Sequence, residues 1–387
     1  VHSVSSLAEI GAAEWDEVAR PSGFYLSRDW LRLVEADTSA TAEYLLGYDG
    51  NRLVAVLPLY DVHSESLGLY QPGRLADGRW AGRYLLAGSR RGFRNGFLVS
   101  TDLPADERAA AFRALLPAVG ERVRSRGADG ALFLHLPTGA AREMWQAGAA
   151  EFAGLPLLTL VDAAIGVPGE GMDDYVQSIP SQTRRKIRRE IKMFEQAGYE
   201  IAEERLAGCL AEAKSLVCNL QHRYGHLDDD EEWRGELDHM ADLLGDQGVV
   251  FSARHEGALV GFTLGYPVGD TMYMRRCGFD YEALRDAFEY FNLGYYLPLR
   301  YAYRHGLRRL HLGPTAYEAK VRRGAALAPL WSLALFTHAA QNTVGDLDWN
   351  RKAAGEWFDH YEQGSPVLAD PGWAEWGCTD EGAAEAN

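Results

Sequence analysis

Six cations crowd one short stretch of the chain. From Ser178 to Ile201 the sequence reads SIPSQTRRKIRREIKMFEQAGYEI, with Arg184, Arg185, Lys186, Arg188, Arg189 and Lys192 at helical spacing. Arg184 and Arg188 stand one turn apart, as do Arg185 and Arg189. Ile187, Ile191 and Phe194 supply the stripe such a helix would bury. Paired guanidiniums suit phosphate oxygens, so this helix can hold the phosphates of a nucleotide-linked donor or acceptor. The plain alternative is a solvated basic face.

A second stretch, LHLGPTAYEAKVRRGA from Leu310 to Ala325, reads as a short strand that opens into a loop. Strand ends of this kind carry working residues in α/β enzymes. His311 lies at the strand end, and Tyr317, Lys320, Arg322 and Arg323 follow. Lys320 suits stabilisation of a tetrahedral oxyanion or the holding of a phosphate; a merely basic surface loop is the competing reading. His222, Tyr224 and His226 offer acid, base or acceptor-binding groups, or an ordinary structural helix end. Asp228 to Glu232 reads as an acidic first helical turn rather than a metal site. Cys277 has no evident histidine partner, so a thiol nucleophile is a minor alternative. Arg276 and Tyr296 are cleft-lining candidates beside Arg275 and Tyr295. Arg275 and Arg276 in a regular strand face opposite ways, so only one can serve.

The chain that positions these residues has 387 residues, enough for two domains. A net charge of −16 argues against a broad nucleic-acid-binding surface, but Gln341 to Asn387 carries ten acidic residues against Arg351 and Lys352 and so accounts for half of it. Four cysteines without a CxxC pair suggest neither a disulfide framework nor a zinc site. No signal peptide and no apolar run of spanning length is visible, which leads us to expect a cytoplasmic protein.

Helices are expected over Leu7–Val18, after Ser27, and over Ala109–Val123. Asp49-Gly50-Asn51 marks a hairpin between two β-rich runs. Strands are expected at Ala131–Leu136 and Leu155–Val161. The order then repeats: helices at Gln182–Gln196 and Cys209–Tyr224, strands at Val249–Arg254, Ala258–Tyr266 and Thr271–Arg276, a long helix from Leu284 to Arg304, and late strands at Leu310–Gly313 and Leu330–Phe336. This predicts a duplicated α/β unit with domains at 1–166 and 167–340. An acidic extension, 341–387, follows; its Trp349, Trp357, Trp373 and Trp376 are expected to dock, and Thr379–Asn387 to be disordered.

The run Ser178–Ile201 resembles the R-R-x-x-R-R…G helix of the Fem-type (FemAB/FemX-like) acyltransferases of the GNAT superfamily. GALVGFTLGYPVGDTMYMRRCGFD, a long helix and HGLRRLHLGPTAYEAKVRRGA resemble their second-domain signature, an F-x-x-G strand followed by Y/F-K-x-x-x-G. Lys320 falls on the family lysine, four residues before Gly324, while Ala319 stands where relatives often have an aromatic. FYLSRDWLRLVEA and RLVAVLPLY resemble the first-domain opening, so the likeness covers roughly residues 22 to 338.

The resemblance implies tandem GNAT-like domains, each a mixed, largely antiparallel sheet flanked by helices, with the active cleft mainly on the second. It implies transfer of an aminoacyl group from aminoacyl-tRNA to an amine, the acceptor being peptidoglycan-precursor-like or a specialised metabolite. Lys320 would take the electrostatic role beside Tyr317, with Arg184, Arg185, Arg188, His222, Arg276, Tyr296, His311 and Arg322 binding substrate. No cofactor is expected to be tightly bound and no metal is called for. An acyl-CoA donor stands second, because the Q/R-x-x-G-x-G/A pyrophosphate turn is missing from Cys277–Asp286 and Gly88–Gly96 does not fit it. A non-catalytic ligand-binding module stands third. In the catalytic reading, Lys320→Ala keeps its fold and loses turnover.

Overall fold

The computed structural model describes residues 1–19, 23–225, 230–336 and 343–379. His226, Asp228 and nearly all of Thr379–Asn387 lie outside the described residues. The chain divides into two compact units, Val1–Asp162 with Leu327–Asn387, and Ala163–Ala326.

The first unit opens with β1 (His2–Val4), α1 (Ala12–Ala19) and α2 (Arg28–Glu35), the last capped by the Ser27 hydroxyl on the Trp30 amide. A two-residue turn at Gly50-Asn51 joins β2 (Ala40–Asp49) to β3 (Arg52–Val62), and Gly50 supplies the left-handed φ of 57°. β4 (Tyr84–Ala87), β5 (Leu98–Val99), α3 (Ala105–Ser125), β6 (Gly130–Pro137), α4 (Thr138–Gly148) and β7 (Leu157–Gly166) follow. Phe112, Leu115, Leu116, Val119 and Val123 form the buried stripe of α3, each side chain contributing about 1.5–3 kcal/mol by leaving water.

The second unit continues through α5 (Met172–Ser178), α6 (Ser181–Gln196), β8 (Glu200–Glu204), α7 (Leu206–Arg223) and α8 (Asp230–Leu244). β9 (Val249–His255), β10 (Ala258–Val268) and β11 (Thr271–Phe279) form the expected antiparallel meander. Its first turn, Glu256-Gly257, has both residues at positive φ, as a two-residue hairpin of matching twist demands. β8 pairs with β9 and was not foreseen, since its residues EIAEE are almost wholly exposed and show no alternation. The long helix expected from Leu284 begins instead at Glu289: α9 (Glu289–Phe291), a π-helical turn (Asn292–Tyr296) and α10 (Leu297–Arg304). Asp286 and Phe288 take left-handed φ values, which ends any helix at that point. β12 (Arg309–His311) and α11 (Tyr317–Val321) complete the unit, whose strand order is β7-β12-β11-β10-β9-β8.

The chain then returns to the first unit as β13 (Ala326–Phe336) and α12 (Thr343–His360). The sheet of that unit runs β1-β2-β3-β4-β6-β13-β7; β1 with β2, β2 with β3, β3 with β4 and β6 with β13 are antiparallel, and β4 with β6 is parallel. Both units are thus mixed sheets flanked by helices. The division differs from the expected 1–166, 167–340 and 341–387, because β13 and the acidic extension both join the first unit. Asn350 explains why: wholly buried, it accepts from the Leu158 amide at 2.8 Å and donates to the carbonyls of Pro156 and Trp376. Trp349 and Trp373 donate to the carbonyls of Leu158 and Leu327, and Trp376 packs edge-on to Trp331. Tryptophan area and satisfied backbone groups hold the extension down.

His135 is buried inside β6 yet has φ of 60°. Its Nε2 lies 2.8 Å from the Leu69 carbonyl, and burial pushes its pKa down to about 4. The unfolded chain binds a proton near pH 6.5 that the folded chain refuses until about pH 4. Stability is therefore complete above pH 6.5, and about 3 kcal/mol is lost as the pH falls to 4. Urea titrations at pH 7 and pH 4.5 should show this loss shrinking in His135→Asn, a residue that tolerates positive φ.

Candidate functional site

In the second unit, β12 lies parallel to β11, but only Thr271–Tyr273 pair with Arg309–His311. Beyond Tyr273 the two strands part. β11 runs on through Met274–Phe279 with β10 on its other side, while the chain after His311 turns away. A crevice at the carboxyl ends of parallel strands is the usual place for a ligand in an α/β sheet.

The departing loop is strained and locked. Gly313, Thr315 and Ala316 have φ of 68°, 64° and 47°, so two consecutive non-glycine residues are left-handed. Lys320, 5% exposed, reaches back across them. Its Nζ donates to the carbonyls of Leu312, Gly313 and Pro314 at 2.9, 2.8 and 2.6 Å. An ammonium has three N–H groups, and all three are engaged. In this structure the lysine holds the loop in shape, where the family likeness leads us to expect an oxyanion role. Tyr317 is half-buried on the same loop, its ring centroid 5.9 Å from Nζ.

The two stretches that draw attention in the sequence do meet, through Arg323 of the second and Glu190 of the first, which the sequence does not single out. Glu190 of α6 is fully buried and receives both Oε bonds from Arg323 Nη2, at 3.0 and 2.9 Å. Tyr296 donates its hydroxyl to Glu190 and accepts from Arg323 Nε at 3.1 Å. Arg323 also lies 3.2 Å over the Phe291 ring, and Tyr175 donates to its carbonyl. Burial pushes the Tyr296 phenol far up, so it stays protonated. Tyr296, expected among the substrate-binding residues, here bonds to Glu190 and Arg323. The available signal was Glu190 itself, an acid on the buried stripe of a basic helix, which must find a cation.

Other expected residues have different partners. Arg184 donates to the Ile179 carbonyl at 2.7 Å and serves the start of α6, whereas Arg185 and Arg188 are exposed. His222 pairs with Asp230 at 2.7 Å, Arg322 with Glu318. His311 is buried with its ring 5.0 Å from that of Tyr273. Arg275 and Arg276 do not face opposite ways. The β10–β11 register shifts between Leu264 and Gly265, leaving Arg275 as the extra residue, and both arginines bind Glu236. Burial pushes the Cys277 thiol up to about 11 despite the nearby charges of Arg276 and Lys320, so it is not a thiolate at neutral pH.

The loop before α9 settles as an anion-binding turn already filled. Glu289, 4% exposed, accepts from the amides of Arg285 at 2.9 Å and Ala287 at 3.1 Å, and from the Tyr199 hydroxyl at 2.6 Å. The π-helical turn that follows frees the Leu293 carbonyl for the Thr263 hydroxyl, 2.5 Å away.

A family model described as FemAB-like, peptidoglycan biosynthesis/recognition, matches residues 102–366. The chain belongs to the FemAB-like family. Among solved structures it is similar to FemX, at 14% identity with a TM-score of 0.61, over 87% of this chain and 97% of that one. It is also similar to a conserved protein of unknown function from Bacteroides thetaiotaomicron VPI-5482, at 14% identity and a TM-score of 0.56, over 85% and 98%. L-PGS from Bacillus licheniformis follows at 9% identity and a TM-score of 0.52, over 91% and 97%. These likenesses show the fold alone, a mixed α/β architecture with a largely antiparallel sheet flanked by helices. No curated protein matches the chain. In this FemAB-like chain no described helix is long and apolar enough to cross a membrane. Among the described residues, no three His, Cys, Asp or Glu side chains are grouped to hold a metal ion.

Proposed function

We propose that this FemAB-like protein transfers an aminoacyl group from aminoacyl-tRNA to an amine acceptor, in the crevice where β11 and β12 part. The amine nitrogen attacks the ester carbonyl, the N–C bond forms, and the C–O bond to the ribose breaks. The amine proton ends on the departing ribose oxygen. Lys320 acts by position, fixing Leu312–Pro314 at the wall of the crevice, and Tyr317 is the hydroxyl offered to the reacting ester. The acceptor is an amine of a peptidoglycan precursor or of a specialised metabolite.

The observation that carries the choice of donor is Glu289. An acyl-CoA enzyme of this fold needs free backbone N–H groups for pyrophosphate after the strand corresponding to β11. Here the amides of Arg285 and Ala287 already bind a carboxylate of the protein, and a pyrophosphate would meet like charge.

Thermal stability tests this directly. Charged tRNA should raise Tm, and millimolar acetyl-CoA should leave it unchanged. A shift with acetyl-CoA would overturn the donor assignment. Binding of charged tRNA without transfer to any amine would overturn the enzymatic reading.

A further inference from the structure

Among the described residues, five cations on α6 have no counter-charge. Arg185, Lys186, Arg188, Arg189 and Lys192 are all exposed, and no carboxylate pairs with them among the described residues. The helix has only two acids, and both are taken: Glu190 is buried against Arg323 and Glu195 pairs with Arg300 at 2.7 Å. Elsewhere arginines are mostly matched, for example Arg83 with Asp61, Arg90 with Glu65, Arg122 with Glu43 and Arg254 with Glu212.

Arg185, Arg188, Arg189 and Lys192 follow i, i+3, i+4, i+7 spacing and so share one stripe, opposite buried Ile187 and Phe194. Like charges at these spacings repel and weaken the helix that carries them. An external polyanion relieves that repulsion. The stripe is about 10 Å long at 1.5 Å per residue, which matches about three steps of 3.4 Å along one nucleic-acid strand. Its side chains project into solvent, which suits a run of phosphates better than one enclosed anion. The exposed large apolar side chains, Val1, Tyr48, Ile201, Tyr224 and Tyr290, all lie off α6. A helix without an apolar wedge is not built to insert into a lipid surface.

We infer that this stripe of α6 is the docking surface for the RNA backbone, gripping consecutive phosphates of the donor's acceptor arm. The inference rests on the aminoacyl-tRNA reading and deepens it. Binding here is electrostatic and indifferent to sequence, and it explains how a chain of net charge −16 can hold RNA.

Fluorescence anisotropy with a labelled, deacylated tRNA transcript tests it, titrated at several salt concentrations. In Arg185→Gln/Arg188→Gln/Arg189→Gln/Lys192→Gln the slope of log Kd against log salt should fall by about three, and low-salt affinity should drop by more than tenfold. Replacing the three arginines by lysine should keep both, because charge rather than guanidinium geometry carries the contact. Far-UV circular dichroism reports folding, and Arg189→Gln/Lys192→Gln, with about half the slope change, serves if the fourfold variant unfolds. Unchanged affinity in the glutamine variants overturns the proposal. So does stripe-dependent binding to phosphatidylglycerol vesicles without binding to tRNA. Deacylated tRNA cannot react, so a stripe-dependent slope with no aminoacyl transfer sinks the proposed function alone. Transfer that ignores the stripe sinks this inference alone.

Discussion

Lys320→Met should destabilise the second unit by about 3 kcal/mol, because three carbonyls lose the ammonium that donates to them. The Gly313 carbonyl keeps the Ala163 amide at 3.2 Å, but Leu312 and Pro314 depended on Nζ. Methionine fills the space and removes the cost of burying a charge, so the loss isolates the hydrogen bonds. The Thr315–Ala316 backbone then has nothing to hold it left-handed and should relax. Urea unfolding reads the stability, and hydrogen exchange of amides 312–317 reads the loop. A variant with unchanged midpoint and unchanged exchange would return Lys320 to the catalytic role that the family motif implies. If the lysine is a positioning residue, transfer activity should fall in step with loop order, and Lys320→Arg should rescue little, since a planar fork cannot reach three convergent carbonyls.

The other large effect is expected at Glu190 and Arg323. Arg323→Ala strands a fully buried carboxylate and should cost about 3–5 kcal/mol. Glu190→Gln keeps the shape but leaves Arg323 unneutralised and should cost a similar amount. Removing both partners should cost less than the sum of the single changes, because each single variant includes the penalty for the charge left behind. Tyr296→Phe should cost only about 1 kcal/mol, the loss of one hydroxyl from the network. A double-mutant cycle followed by urea unfolding measures all four. Strict additivity would mean that the pair does not interact as its geometry indicates. The pair also fastens α6 to the residues that follow α11.

Local patterns were read correctly where the physics is local. Asp49-Gly50-Asn51 marks a hairpin because a tight turn needs a left-handed residue, which Gly50 supplies. The stripes of α3 and α6 mark helices because side chains three and four apart share a face. The two basic stretches, 178–201 and 310–325, also stand out by charge and by the family likeness, though neither shows what its residues touch. Glu190 and Arg323 are 133 positions apart, and nothing near either names the other. The bulge that turns Arg275 and Arg276 toward one glutamate depends on the register of β10, not on β11 alone. Glu289 could be read as one more helical residue until its carboxylate is found capping the amides before it. Residue types and spacing determine which chemistry is available and which elements form. Packing decides which donors are already consumed, because a buried charge must take whatever partner the fold brings within reach.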